Sequence, residues 1–129
     1  MTRRIASVTI GAVEPFAVAE FWKAALGWEV VFQDDTGMDL RAPGTSMPTL
    51  EIGKVSEMKT VKNRLHFDLR ADGSSTEAEL DRLLRLGATR VDIGQGTDVS
   101  WVVLADPGGN EFCLLERTVQ EVEMAKGDG

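Results

Sequence analysis

The reactive chemistry open to this 129-residue chain is carried by one histidine, one cysteine and a few carboxylates. In the segment RLHFDLR, Arg64, His66, Asp68 and Arg70 alternate with Leu65, Phe67 and Leu69, the pattern of a strand with one polar and one apolar face. An imidazole exchanges protons near neutrality, so His66 is a candidate general acid or base, and Asp68, two residues on, can fix its tautomer. Glu51, set between Leu50 and Ile52 in TLEIGKV, supplies a second carboxylate on the polar side of a strand. His66 and Glu51 are therefore the catalytic candidates. Ser7, Trp28, Asp68, Trp101 and Cys113 are the candidates for contact with a bound molecule. An indole offers a broad apolar wall, which suits Trp28 and Trp101, whereas Trp22 reads as core. Cys113 lies in the apolar run EFCLLE with no basic neighbour in sequence to lower its pKa, so a packed thiol is expected rather than a nucleophile.

The elements that must position these residues can be read from periodicity and punctuation. Ile5 to Ile10 alternate as a first strand, which Gly11 is expected to break. Pro15 suits the opening of a helix and Gly27 its end, giving Pro15 to Leu26 with Phe16, Ala19, Phe21, Trp22 and Leu26 turned inward. WEVVFQ, Met38 to Arg41 and TLEIGKV follow as strands. After the polar joint SEMKTVKN comes the His66 strand. A helix STEAELDRLLRLG is then expected, opened by a Ser74/Glu77 capping box and closed at Gly87. Strands TRVDI, VSWVVLA and EFCLLE complete the series, separated by the turns GQGTD and DPGGN. The tail from residue 118 to 129 can add a helical turn before a fraying Gly-Asp-Gly end.

The order strand, helix, strand, strand, strand thus occurs twice. Leu26-Gly27 and Leu86-Gly87 stand sixty residues apart, and Ser7 and His66 fifty-nine, so an internal duplication accounts for both halves. The expected fold is α+β, with two βαβββ modules over residues 4–55 and 64–116 forming a single eight-stranded, cleft-bearing domain over residues 1–117. Each helix would cover one face of its sheet. The opposite faces, carrying Ser7, Glu51, His66 and Asp68, would then curve around a shared cleft.

Composition narrows the partners. A hydrophobic fraction of 43% with 27% charged residues is that of a globular chain, and a net charge of −7 without a basic cluster disfavours nucleic acid. No apolar run approaches the ~20 residues that span a bilayer, so no membrane partner is expected. One cysteine cannot close an intramolecular disulfide, and the first residues contain no signal-like apolar core, so the expected location is the cytoplasm.

Four stretches, FWKAALGWEV, RLHFDL, LDRLLRLGATRV and LADPGGNEFCLLE, resemble the vicinal oxygen chelate superfamily of glyoxalases, bleomycin-resistance proteins and ring-cleavage dioxygenases. The resemblance is closer to its glyoxalase-like branch than to the glyoxalase enzymes. It implies paired βαβββ modules, frequent dimerisation and, in the metal-dependent members, one ligand from each of four strands: His or Gln, Glu, His and Glu. Transferred position by position, His66 and Glu51 match, whereas the first position falls on Ser7 and the last on Cys113. Ser is a poor ligand for a catalytic divalent ion, and Cys favours zinc over harder ions. Glu116 has the wrong strand parity to replace the last ligand. The resemblance therefore implies a homodimeric protein that binds a small organic molecule without a tightly bound catalytic metal. Its alternatives are a metal-dependent lyase, isomerase or dioxygenase relative using Glu51 and His66, and an antibiotic-sequestering protein.

Overall fold

The computed structural model describes residues 3–91 and 101–127, and the chain divides into two compact units, Met1–Thr60 and Val61–Gly129. In the first unit, β1 (Ser7–Ala12), α1 (Pro15–Leu26), β2 (Glu29–Gln33), β3 (Gly37–Arg41) and β4 (Thr49–Lys54) follow one another. In the second, β5 (Phe67–Leu69), α2 (Thr76–Leu86), β6 (Thr89–Arg90), β7 (Trp101–Ala105) and β8 (Glu111–Leu115) repeat that order, and α3 (Val119–Gly127) is added. The strands form two four-stranded sheets with matching orders, β1-β4-β3-β2 and β5-β8-β7-β6. In both, the first strand runs parallel to the last and the remaining pairs are antiparallel. This is the α+β, twice-βαβββ architecture read from the sequence. The expected turn GQGTD and the end of TRVDI lie outside the described residues.

Helix α1 begins with Pro15 in its first turn, where a missing N–H costs nothing. It buries Val18, Ala19, Phe21, Trp22 and Ala25, with the Phe21 and Trp22 rings edge to face at 5.1 Å. Phe16, expected inside, is 36% exposed, because the inward stripe runs through Val18 and Ala25 instead. Both helices end in the same motif: the Trp28 N–H bonds the Lys23 carbonyl at 3.2 Å, and the Ala88 N–H bonds that of Leu83 at 3.1 Å. Gly27 has φ 68° and ψ 30°, and Gly87 has φ 120° and ψ 4°.

Several boundaries differ from the sequence reading. Strand β1 passes through Gly11, which pairs with Gly53 instead of breaking the run. The α2 cap is Ser75, whose hydroxyl accepts the Ala78 N–H at 3.1 Å, and not Ser74. The reciprocal capping box occurs instead on the tail. There Thr118 Oγ1 accepts the Glu121 N–H at 3.1 Å, and Glu121 Oε1 accepts the Thr118 N–H at 2.9 Å. That box opens the nine-residue α3, longer than the single turn expected. The start of α3 is tied to the segment after β5 by Val119 N–H to the Ala71 carbonyl and by Gln120, which bonds both Asp72 and the Gly73 N–H.

Strand β5 is also shorter than expected, starting at Phe67 rather than Arg64. The chain before it is held by side chains instead of a ladder. The Asn63 N–H donates to Glu111 Oε1 at 3.2 Å, and its amide reaches Asn110 Oδ1 at 3.3 Å. Leu65 consequently points into solvent at 89% exposure, and Phe67 is half-buried where a core position was expected. The aromatic anchor of this sheet is Phe112, which is fully buried with Leu104 and Leu114.

Two outcomes follow for stability. Gly27→Ala and Gly87→Ala should each cost on the order of 1 kcal/mol, because positive φ disfavours a Cβ even where space is open. Gly27→Asn should recover part of that loss while Gly87→Asn should not, since only Gly27 sits in the left-handed well Asn tolerates. In the same denaturation series, Phe112→Ala should cost ~3–5 kcal/mol. The half-buried Phe67→Ala should cost about 1–2 kcal/mol, and equal losses would contradict the packing described.

Candidate functional site

Parallel pairing of β5 with β8 sets Phe67 opposite Phe112, Asp68 opposite Cys113 and Leu69 opposite Leu114. Because Phe112 and Leu114 are fully buried on the side that packs against α2, alternation sends Asp68 and Cys113 to the other face. His66 stands one residue before the strand and on the same side as Asp68. Its Nε2 lies 3.1 Å from Asp68 Oδ1, with both side chains partly exposed. The ligand atoms of His66, Asp68 and Cys113 all fall within 4.8 Å of one another. Trp101, at the start of β7 and two residues from Val103, which pairs with Cys113, shares that face and is 38% exposed.

The Cys113 thiol is pushed above its ordinary range, first by burial and then by the charge and hydrogen bond of Asp68, with Lys62 opposing. It is therefore a protonated thiol at neutral pH, which disfavours nucleophilic catalysis as the sequence suggested. What the cluster offers is proton exchange at an oriented imidazole, a carboxylate acceptor and a sulfur donor.

The first unit carries the corresponding row. Thr9 pairs with Glu51, and Glu51 with Asp39, while Leu50 and Ile52 are buried beside α1. Ser7 is exposed on the same face, opposite Thr49. The Thr49 hydroxyl accepts two bonds from Arg41, at 3.1 Å from Nε and 3.0 Å from Nη2. Asp39 shares that face and is not singled out by the sequence, although Met38-Asp39-Leu40 shows the same apolar, polar, apolar signal as Leu50-Glu51-Ile52. Burial raises its pKa first, then the charges of Glu51 and Asp34, with Arg41 opposing.

Of the residues singled out from sequence, His66, Asp68 and Cys113 come together, with Trp101 on their face, and Ser7 and Glu51 share a face of the other sheet. Trp28 lies between α1 and β2, its N–H completes the helix end, and its side chain is half-buried.

The sheet orders, the parity of these rows and the DPGGN turn define a protein of the vicinal oxygen chelate type. In that turn the Asp106 carboxylate accepts the Gly108 and Asn110 N–H groups at 2.8 and 2.9 Å. The chain belongs to the glyoxalase-like domain family, whose model matches residues 7–115. Its fold is shared with the trypanothione-dependent glyoxalase I of Leishmania major (14% identity, 98% of this chain and 95% of that chain, TM-score 0.66). The fosfomycin resistance protein FosX of Mesorhizobium loti is similarly related (12% identity, 96% and 99%, TM-score 0.66). So is a glyoxalase-related enzyme from Fulvimarina pelagi (16% identity, 89% and 88%, TM-score 0.63). No curated protein matches the chain significantly. No helix among the described residues is long and apolar enough to cross a membrane.

The four-strand ligand set implied by the resemblance does not fit these residues. Ser7 offers a hydroxyl and Cys113 a protonated thiol where a hard nitrogen and oxygen set is needed, so no chemical step is routed through such an ion.

Asp39 gives a pH-dependent outcome. Its raised pKa means the folded state favours the neutral acid, so its contribution is most favourable below the ordinary carboxylate range and is lost as pH rises through the folded value. Asp39→Asn should therefore raise the thermal midpoint at neutral pH, and the gain should vanish in acid. A gain that persisted at low pH would assign it to packing instead.

Proposed function

We propose that the chain is a binding protein for a small, largely apolar organic molecule. In the second unit His66 meets the polar group of that molecule, with Asp68, Trp101 and Cys113 as further contacts, and in the first unit Glu51, with Ser7, offers the corresponding face. The observation that carries this reading is the oriented His66–Asp68 pair beside Cys113, on the same face as the partly exposed Trp101. A binding face of this kind combines an apolar wall with a few convergent polar groups. Trp28, half-buried at the end of α1, adds an indole wall. The resemblance to resistance proteins and glyoxalases supports a small-molecule ligand and a homodimer, and the single cysteine with no signal-like apolar core supports a place in the cytoplasm.

The test is a panel of aromatic and aliphatic carbonyl, phenol and carboxylate compounds, read by displacement of an anilinonaphthalene sulfonate reporter. For compounds that bind, His66→Ala and Glu51→Gln should each weaken affinity while the thermal midpoint stays within a few degrees, the shift of ~1 kcal/mol or less. Unchanged affinity in both variants would remove these residues from the site. Consumption of a bound compound, lost in His66→Ala, would place the chain among the enzymes of its superfamily, with His66 transferring the proton.

A further inference from the structure

On the open face of the second unit the two nitrogens of the His66 ring are not equivalent. Nε2 lies 3.1 Å from Asp68 Oδ1. In a neutral imidazole one nitrogen carries the proton and the other a lone pair, and a carboxylate only accepts. The contact therefore fixes the proton on Nε2 and leaves the lone pair on Nδ1. Among the described residues the His66 side chain has no other polar partner, so Nδ1 is left for a bound molecule. We propose that this acceptor nitrogen selects the ligand: the site takes a neutral aromatic hydroxyl compound, whose O–H donates to His66 Nδ1, in preference to a carboxylate. This rests on the small-molecule reading proposed for the same face and adds the polarity of the group that is recognised.

The surroundings of the ring point the same way. Register sets Asp68 opposite Cys113, and the Cys113 S–H donates to the Asp68 carboxylate. The thiol proton is thereby engaged within the cluster. An incoming carboxylate would meet the Nδ1 lone pair and, behind it, the charge of Asp68, and neither Nδ1 nor Cys113 would offer it a proton. Lys62 is the cation that acts on Cys113, but its side chain is exposed, where salt and water screen it.

A neutral hydroxyl meets no such repulsion. Its proton points to Nδ1 while the Nε2 proton points to Asp68, and hydrogen bonds aligned in one direction polarise and strengthen each other. The aromatic ring is matched by Trp101, which shares the face and is 38% exposed, enough of the indole to meet a ring edge-on or offset. Asp68 acts here through His66, as a positioning residue.

The test uses the full chain at about pH 8, where an ordinary imidazole is neutral and a phenolic hydroxyl still protonated. The sequence holds one histidine, so ¹⁵N labelling gives a single imidazole whose ¹⁵N–¹H couplings report its tautomer. The Nε2–H form is expected, and Asp68→Ala should bring in the Nδ1–H form. Three probes share one apolar body: β-naphthol, its methyl ether and β-naphthoate. Calorimetric titration should find the naphthol about three- to tenfold tighter than the other two, the ratio given by one net hydrogen bond. His66→Ala should bring the naphthol and its ether to equal affinity, and Asp68→Ala should shrink the preference in step with the change of tautomer. Lys62→Met should leave the ranking as it is. A predominant Nδ1–H tautomer in the unaltered chain, naphthoate bound as tightly as naphthol, or a preference that survives His66→Ala would each overturn the proposal. Equal binding of naphthol and ether would overturn it while leaving the small-molecule reading in place. Failure of all three probes and of the wider panel would overturn both.

Discussion

In each unit the first strand pairs in parallel with the last, and the placement of every chemically useful side chain depends on that register. With a helix against one face, alternation assigns Leu50 and Ile52, or Phe112 and Leu114, to the interior and sends Glu51 or Cys113 to the other side. A slip of one residue would exchange the two sets and bury a carboxylate. The energies explain why register holds. Each fully buried Phe or Leu contributes roughly 1.5–3 kcal/mol, whereas a partly exposed pair such as His66 and Asp68 contributes about 0–1 kcal/mol. The apolar side fixes the frame, and the polar side is free to vary within it.

That freedom is visible in the two modules. Both use the same sheet order, and both end their helices on a glycine at positive φ. Yet the central row of one sheet reads Thr9, Glu51, Asp39 and that of the other Asp68, Cys113, Val103. Burial, and after it the charges of Glu51 and Asp34, raise the Asp39 pKa in the first row. The second row sets a carboxylate against a thiol and, with His66, creates a mixed nitrogen, oxygen and sulfur group. A duplicated frame has thus diverged where side chains leave the core, while the residues that pack the helices have kept their apolar character.

Much of the frame was legible because its signals are local. Pro15 and Gly27 bracket α1 at the residues read from sequence, and the paired Leu-Gly ends revealed the repeat before any topology was known. The departures come from tertiary competition. The alternation of RLHFDLR is regular, but Asn63 bonds to the turn before β8 and takes the preceding residues out of the ladder, so His66 lies just outside β5 and Leu65 in solvent. Ser74 and Ser75 are equivalent in composition, and only the backbone decides which caps α2. Thr118 and Glu121 carried a clear capping signal, hidden by the polar, glycine-ended tail around them. Asp39 is not legible in the sequence, because a single carboxylate in a short strand gains meaning only from its cross-strand partner, Glu51.

In the proposed reading, the faces turned away from α1 and α2 take the ligand. The most direct measurement of this is a ¹⁵N and ¹³C NMR titration of the chain with a compound from the panel. The account predicts that perturbations concentrate at the His66 ring, at Asp68, Glu51 and Cys113 and at the Trp101 indole, while Leu50, Ile52, Phe112 and Leu114 on the helix-facing sides change little. Perturbations confined to the helix-facing side chains, or to the outer surfaces of α1 and α2, would contradict it.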